Sequence, residues 1–189
     1  MIDKKKNVVR LLDKSNGLSH NFVQSFAKFN QQIWVTTNGG LDIIDPVQKT
    51  LEHTGKKEGV VNDTIYVVFK DAAGNTWLAG PSNGIDLIDS AKKIIRHADV
   101  AGGLSDDNIQ DVKQDMDGLV WLATNRSGID VFDPKAGTVK YLNNQPGLQG
   151  PSNRMMIMDN YGRMWIGTNQ GIYVADKKLG TLTSITTKQ

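Results

Sequence analysis

Almost continuously apolar runs of five or six residues recur along this chain between short polar turns, LVWLAT (119–124) being the clearest. Such a run, bounded by turn residues and too short for a helix, predicts a strand covered on both faces. Ahead of it stands an Asp-x-x-Gly turn: DAAG (71–74), DMDG (115–118) or DNYG (159–162). Asp suits the first position of a type I turn and Gly the fourth, where a positive φ is readily taken. After it, a turn ending in Gly40, Gly84, Gly128 or Gly171 leads into a second apolar strand such as IDVFD. A further turn, marked Asp45-Pro46 or Asp133-Pro134, precedes a last strand such as TVKYL (138–142). Pro has no ladder hydrogen bond to lose there. Each period thus holds four short strands, and no segment shows helical periodicity.

The period recurs four times. Trp34, Trp77, Trp121 and Trp165 are spaced 43, 44 and 44 apart, and Gly17, Gly59, Gly103 and Gly147 are spaced 42, 44 and 44. The first period is short because its KFNQQ and TTNGG turns each lack one residue, and turns are where length changes are tolerated. Four strands in a period of this length are the signature of a β-propeller blade; the period excludes leucine-rich repeats, and the strands exclude helical solenoids. The expected fold is all-β: a propeller of four-stranded antiparallel blades, about four of them, forming an incomplete arc of a larger ring.

The blades fall at 17–58, 59–102, 103–146 and 147–189. Residues 1–16 read as the second half of a preceding blade, because MIDKKKNVVRLL aligns with VFDPKAGTVKYL (131–142), Asp3 on Asp133 and Val9 on Val139. The fourth blade carries its own third and fourth strands, GIYVAD (171–176) and GTLTSI (180–185), so the leading piece has no gap there to fill. An open arc leaves apolar faces at both ends. The expected partners are further blades of the same protein or a second copy of the chain, as a homodimer.

Charge and composition narrow the function. With 22 basic and 20 acidic residues the net charge is +2, and Lys4-Lys5-Lys6 is the one basic run, so no nucleic-acid partner is expected. Cysteine is absent, which removes disulfides, thiolate zinc sites and a Cys nucleophile. No apolar run approaches the roughly 18 residues of a membrane span, and residues 1–12 lack the apolar region of a signal peptide, so no direct membrane contact is expected of this segment.

All four tryptophans occupy one repeat position and are read as inter-blade core, with Gly74, Gly118 and Gly162 as structural turn glycines. His53 and His97 are 44 apart where the third blade has Tyr141, a repeated packing or rim position. Asp42, Asp86 and Asp130, which become Tyr173 in the fourth blade, read as structural. DMDG lacks the further acids of an EF-hand loop, and no Ser sits in a nucleophile elbow. No catalytic residue, metal site or cofactor is assigned. The positions that break the repeat on one face are the candidate ligand contacts: His20, Asn21, Asp63, Asp107, Asn125, Arg126, Asn153 and Arg154. Asn153 stands where the other blades have Val23, Ile65 and Ile109, and Arg126 is the only charged residue in the four second-to-third turns. Amides, carboxylates and Arg suit a hydroxyl-rich ligand.

The segment GLSDDNIQDVKQDMDGLVWLATNRSGIDVFDP (103–134) resembles the two-component regulator propeller repeat, which runs Gly-Leu-Ser, Asn, an apolar pair, Asp-x-x-Gly, Trp, Gly-Thr, Gly-Leu. DNYGRMWIGTNQGI (159–172) repeats the pattern, and the resemblance extends from Gly17 to about Ile185. It implies the periplasmic sensor region of a Bacteroidetes-type hybrid two-component sensor histidine kinase: a non-catalytic segment responding to glycans or their breakdown products, with an oligosaccharide as ligand. The kinase itself has no counterpart in these residues. Two alternatives remain open: a streptogramin-lyase-like propeller enzyme, for which His20 is the one candidate residue, and a propeller serving only as a protein-interaction scaffold.

Overall fold

The computed structural model describes residues 2–3, 8–9, 11–91, 93–142, 148, 153–176 and 181–185, with backbone alone for 2–3, 8–9 and 153–154. Lys4, Lys5, Lys6, Gly147 and the side chains of Asn153 and Arg154 lie outside the described residues. The chain forms two compact units, Met1–Ile65 and Tyr66–Gln189.

The first unit opens with the paired strands β1 (Ile2–Asp3) and β2 (Val8–Val9), followed by blade one: β3 (Val23–Phe29), β4 (Gln32–Thr37), β5 (Gly40–Asp45) and β6 (Thr50–Thr54). The second unit holds three blades. Blade two comprises β7 (Val67–Lys70), β8 (Thr76–Ala79), β9 (Ile85–Ile88) and β10 (Ile94–Ala98). Blade three comprises β11 (Ile109–Gln114), β12 (Val120–Thr124), β13 (Ile129–Asp133) and β14 (Thr138–Tyr141). Blade four comprises β15 (Asn153–Met158), β16 (Met164–Thr168), β17 (Gly171–Asp176) and β18 (Thr181–Ile185). Each blade is a four-stranded antiparallel meander in chain order, as a propeller requires.

Register repeats with the sequence. The innermost pairs begin at Val23 opposite Thr37, Ile109 opposite Thr124 and Asn153 opposite Thr168, and each then slips, leaving Gln24, Gln110 and Arg154 on a β-bulge. In β1–β2, Ile2 faces Val9 and Asp3 faces Val8, the same pairing as Phe132 with Val139 and Asp133 with Thr138 in β13–β14.

In the second unit β11 lies beside β7 and β8, and β15 beside β11 and β12, so successive blades meet through their inner strands. Trp77, Ala79, Ile85 and Leu87 of blade two pack on Leu104, Ile109, Val112, Val120, Leu122 and Phe132 of blade three. Trp121, Ala123, Ile129 and Val131 of blade three pack likewise on Leu148, Met156, Met164, Ile166 and Ala175 of blade four. Trp77 meets Phe132 edge-on at 5.8 Å, and the Arg96 guanidinium covers the same ring at 5.4 Å. Burying one indole contributes on the order of 4 kcal/mol, so these seams dominate the core.

What aims each Trp is the aspartate of the turn before it. Nε1–H of Trp77, Trp121 and Trp165 donates to Asp71, Asp115 and Asp159 at 3.0, 2.8 and 2.8 Å. The other oxygen of each carboxylate accepts two backbone N–H groups of its own turn, as Asp71 does from Ala73 and Asn75. The fourth turn position is left-handed in all three, with φ of +86°, +85° and +81° at Gly74, Gly118 and Gly162. Burial pushes the Asp159 carboxyl up, but hydrogen bonds from Trp165, Arg163 and Tyr161 outweigh it and hold the group below the usual carboxylate range. In blade one Phe29 takes the aspartate's place. It meets Trp34 edge-on at 5.0 Å, while Gln32 accepts the indole N–H at 3.1 Å.

A second repeated carboxylate locks the outer strand. Asp42 accepts from the Ser19 amide and hydroxyl and pairs with His53 Nδ1 at 3.1 Å. Asp86 pairs with His97 Nδ1 at 2.8 Å. In blade three Asp130 accepts from the Ser105 amide and hydroxyl, and Tyr141, in the histidine's place, donates instead to the Gly103 carbonyl. Burial raises the Asp130 carboxyl above its ordinary value, the Ser105 bonds opposing and the Asp106 charge adding to it.

Each carboxylate carries a testable consequence. Asp71→Ala strands a buried indole donor and should cost about 1–3 kcal/mol, lowering Tm by roughly 3–10 °C, while Asp71→Asn should lose less; urea and thermal melts measure both. At Asp130 the folded chain holds the proton more tightly than the unfolded chain. The stability this group contributes is therefore full below the ordinary carboxylate value of about 3.9 and falls as pH climbs through the raised folded value. Urea midpoints from about pH 4 to about pH 7 should show the parent chain losing stability relative to Asp130→Asn; a constant difference would remove the assignment.

Candidate functional site

The segments that enter the innermost strands and the turns joining second to third strands lie at the same end of each blade. In blade three the entering segment 105–109 is held from both sides. Blade two supplies Gly84 N–H to the Asp107 carbonyl at 2.9 Å and the Gly80 carbonyl to Ile109 N–H at 3.0 Å. Blade three's own turn supplies Asn125 N–H to the Asn108 carbonyl at 2.9 Å and Arg126 N–H to the Asp106 carboxylate at 3.0 Å. The turn is fixed in itself by Thr124, whose hydroxyl donates to the Gly128 carbonyl at 2.9 Å and accepts from Ser127 N–H at 3.0 Å. The result is a rigid polar ledge: Asn125 half-buried, Arg126 exposed, and Gln110 on its bulge bonded to Asn108.

Blade one shows the same construction in the first unit. Asn38 N–H donates to the Phe22 carbonyl at 3.1 Å, and the Gln24 side chain donates to Asn38 Oδ1 at 2.6 Å. His20 Nδ1 accepts from Phe22 N–H at 2.9 Å. Beside these groups the Phe22 ring is 59% exposed.

Three of the eight sequence candidates share one structural task. Asn21, Asp63 and Asp107 each accept, at 2.7 Å, the backbone N–H seven residues upstream, that of Lys14, Lys56 and Val100. With one side-chain oxygen each, they close the loop that enters the innermost strand. Asn125 and Arg126 come together on the blade-three ledge; His20 lies on the blade-one ledge. The backbone places Asn153 at the register position of Ile109 and Arg154 on the bulge where blades one and three have Gln24 and Gln110.

Two residues escape a reading of the sequence. Phe22 holds the position that is Thr64, Asn108 and Ser152 elsewhere, so the signal is an aromatic where the repeat is polar. Asp111 stands on the innermost strand where the other blades have Ser25, Val67 and Met155. Its buried carboxylate accepts from Met156 N–H of blade four at 2.7 Å and pairs with Lys113 Nζ at 2.6 Å, tying two blades together.

Residues 103–126 and 147–170 match the two component regulator propeller family. No curated protein sequence matches the chain. Among solved structures it is similar to the extracellular domain of the B. thetaiotaomicron protein BT4673, described as a hybrid two component system. That likeness has 26% identity and a TM-score of 0.81, over 95% of this chain and 26% of the other. The extracellular domain of BT3049 from the same organism aligns at 17% identity and a TM-score of 0.78, over 89% of this chain and 24% of the other. Virginiamycin B lyase from Staphylococcus aureus aligns at 17% identity and a TM-score of 0.69, over 86% of this chain and 55% of the lyase, a likeness of fold alone. The chain thus spans about a quarter of the two extracellular domains it resembles. The two matched stretches open blades three and four, and blades one and two repeat the same four-stranded order.

Proposed function

We propose that this chain is a segment of the extracytoplasmic sensor region of a hybrid two-component signalling protein, and that it recognises a ligand without transforming it. The observation that carries this reading is the likeness to the BT4673 extracellular domain along 95% of the chain, joined to family matches in blades three and four. The blade-three ledge supports a hydroxyl-rich ligand such as an oligosaccharide. It offers an exposed guanidinium and neighbouring amides on a frame held rigid by backbone bonds, so little ordering is needed on binding. His20 favours recognition over lyase chemistry, since the ring nitrogen that would act as a base is already accepting the Phe22 amide. A ligand on the ledge signals only through a difference in its affinity for two arrangements of the surrounding protein.

Calorimetry against a panel of oligosaccharides tests the reading. At least one member should bind, and Arg126→Ala should weaken it about tenfold or more, the loss of one charge-assisted hydrogen bond, with Tm unchanged. A folded chain that binds no member, or a ligand indifferent to Arg126→Ala, would count against the ledge.

A further inference from the structure

The first unit carries an apolar groove of about 750 Å³ lined by Leu12, Leu18, Phe26, Ile33, Val35 and Ile44, among others. Phe26 is 70% exposed in it. The pairing of Phe26 with Val35 in β3–β4 is the pairing of Val112 with Leu122 in blade three and of Met156 with Ile166 in blade four. By the same register Leu18 corresponds to Leu104 and Leu148, Ile33 to Val120 and Met164, and Ile44 to Phe132 and Ala175. Those counterparts are buried in the second unit, under Trp77 and its neighbours in one seam and under Trp121 and its neighbours in the other. The groove therefore has the lining of a blade seam, and twice in this molecule that lining receives the tryptophan face of the preceding blade.

Leu11 and Leu12, which follow β2 in the chain, line the groove, and β1 and β2 have the register of a third and fourth strand. Among the described residues β1 pairs with β2 alone, so its other edge offers an unpaired backbone ladder.

We propose that this groove and the β1 edge form a docking site for a β-hairpin of the same repeat, the first and second strands of a blade joined by an Asp-x-x-Gly turn. The second strand of the hairpin adds to β1, and its tryptophan seats among Leu18, Phe26 and Val35. A second copy of this chain fits less well. Its blade four brings a third and a fourth strand of its own, β17 and β18, whereas β1 and β2 already have that register here.

The test is an extension of the full chain. Residues 103–130 are grafted directly ahead of Met1, where the register of Ile2 with Phe132 makes the join continuous. The extended chain should melt at least about 6 °C higher and lose the apolar-dye fluorescence that the groove gives the parent. The same extension with Trp121→Ala in the grafted copy should forfeit most of the gain, as should Phe26→Asp in the extended chain. Amide exchange at Ile2 and Asp3 gives an independent reading, slowed in the extension and not in its Trp121→Ala form. An extended chain that melts no higher, or fails to fold where the parent folds, overturns the proposal. So does a parent chain that sediments as a dimer and is released to monomer by Phe26→Asp, because a second copy would then be the occupant.

Discussion

A hydrogen bond from a tryptophan indole to the aspartate that opens the turn before it is the interaction on which each blade of the second unit depends. One carboxylate does two things at once: one oxygen gathers the turn's amides and the other fixes the indole. The turn cannot relax without releasing the ring, and the ring cannot rotate without leaving a buried donor unpaired, which costs more than the bond itself contributes. Held this way, the tryptophan presents a flat apolar face to the next blade, and the seams at Trp77 and Trp121 follow. Blade one reaches the same ring position by another route, an aromatic edge contact from Phe29 and an amide oxygen from Gln32. The requirement is for a held indole, and a carboxylate is one means of holding it.

The outer strands and the entering segments are locked by the same economy of polar groups. Asp42 and Asp86 bind the outer-strand histidines, and Asn21, Asp63 and Asp107 close the loops that lead into the inner strands. With the framework so tied, the side chains left on the ledges are presented by backbone that has little freedom to move. Rigid presentation is what recognition of a polar ligand needs, because ordering a loose loop would consume much of the affinity.

The strands, turns and blade count are legible in the sequence because they rest on local chemistry: apolar runs, Asp-x-x-Gly turns and a fixed period. At the start of the chain, Asp3 and Val9 carry the same spacing as Asp133 and Val139, and their strands take the same pairing. The site is legible only in outline. Asn21, Asp63 and Asp107 stand out by residue type, yet Asn and Asp serve backbone amides as readily as ligands, and one letter does not say which. The spacing of His53 and His97 marks a repeat position without naming the partner across the strand pair. Phe22 is hard to find because an apolar letter before a strand reads as core; only three-dimensional placement shows its ring in solvent. Asp111 is hidden for the converse reason, as an acid whose partner lies one blade away.

How the four indole protons are held decides whether the carboxylates or the packing aim the rings. Exchange of the Nε1–H groups, followed by NMR in deuterated buffer, measures this one ring at a time. Nε1–H of Trp77, Trp121 and Trp165 should exchange slowly, and Asp115→Ala should speed exchange at Trp121 while leaving Trp34, held by Gln32, at its own rate. Exchange at Trp121 indifferent to Asp115→Ala would show that packing alone aims the ring, and would contradict the central role of the carboxylate.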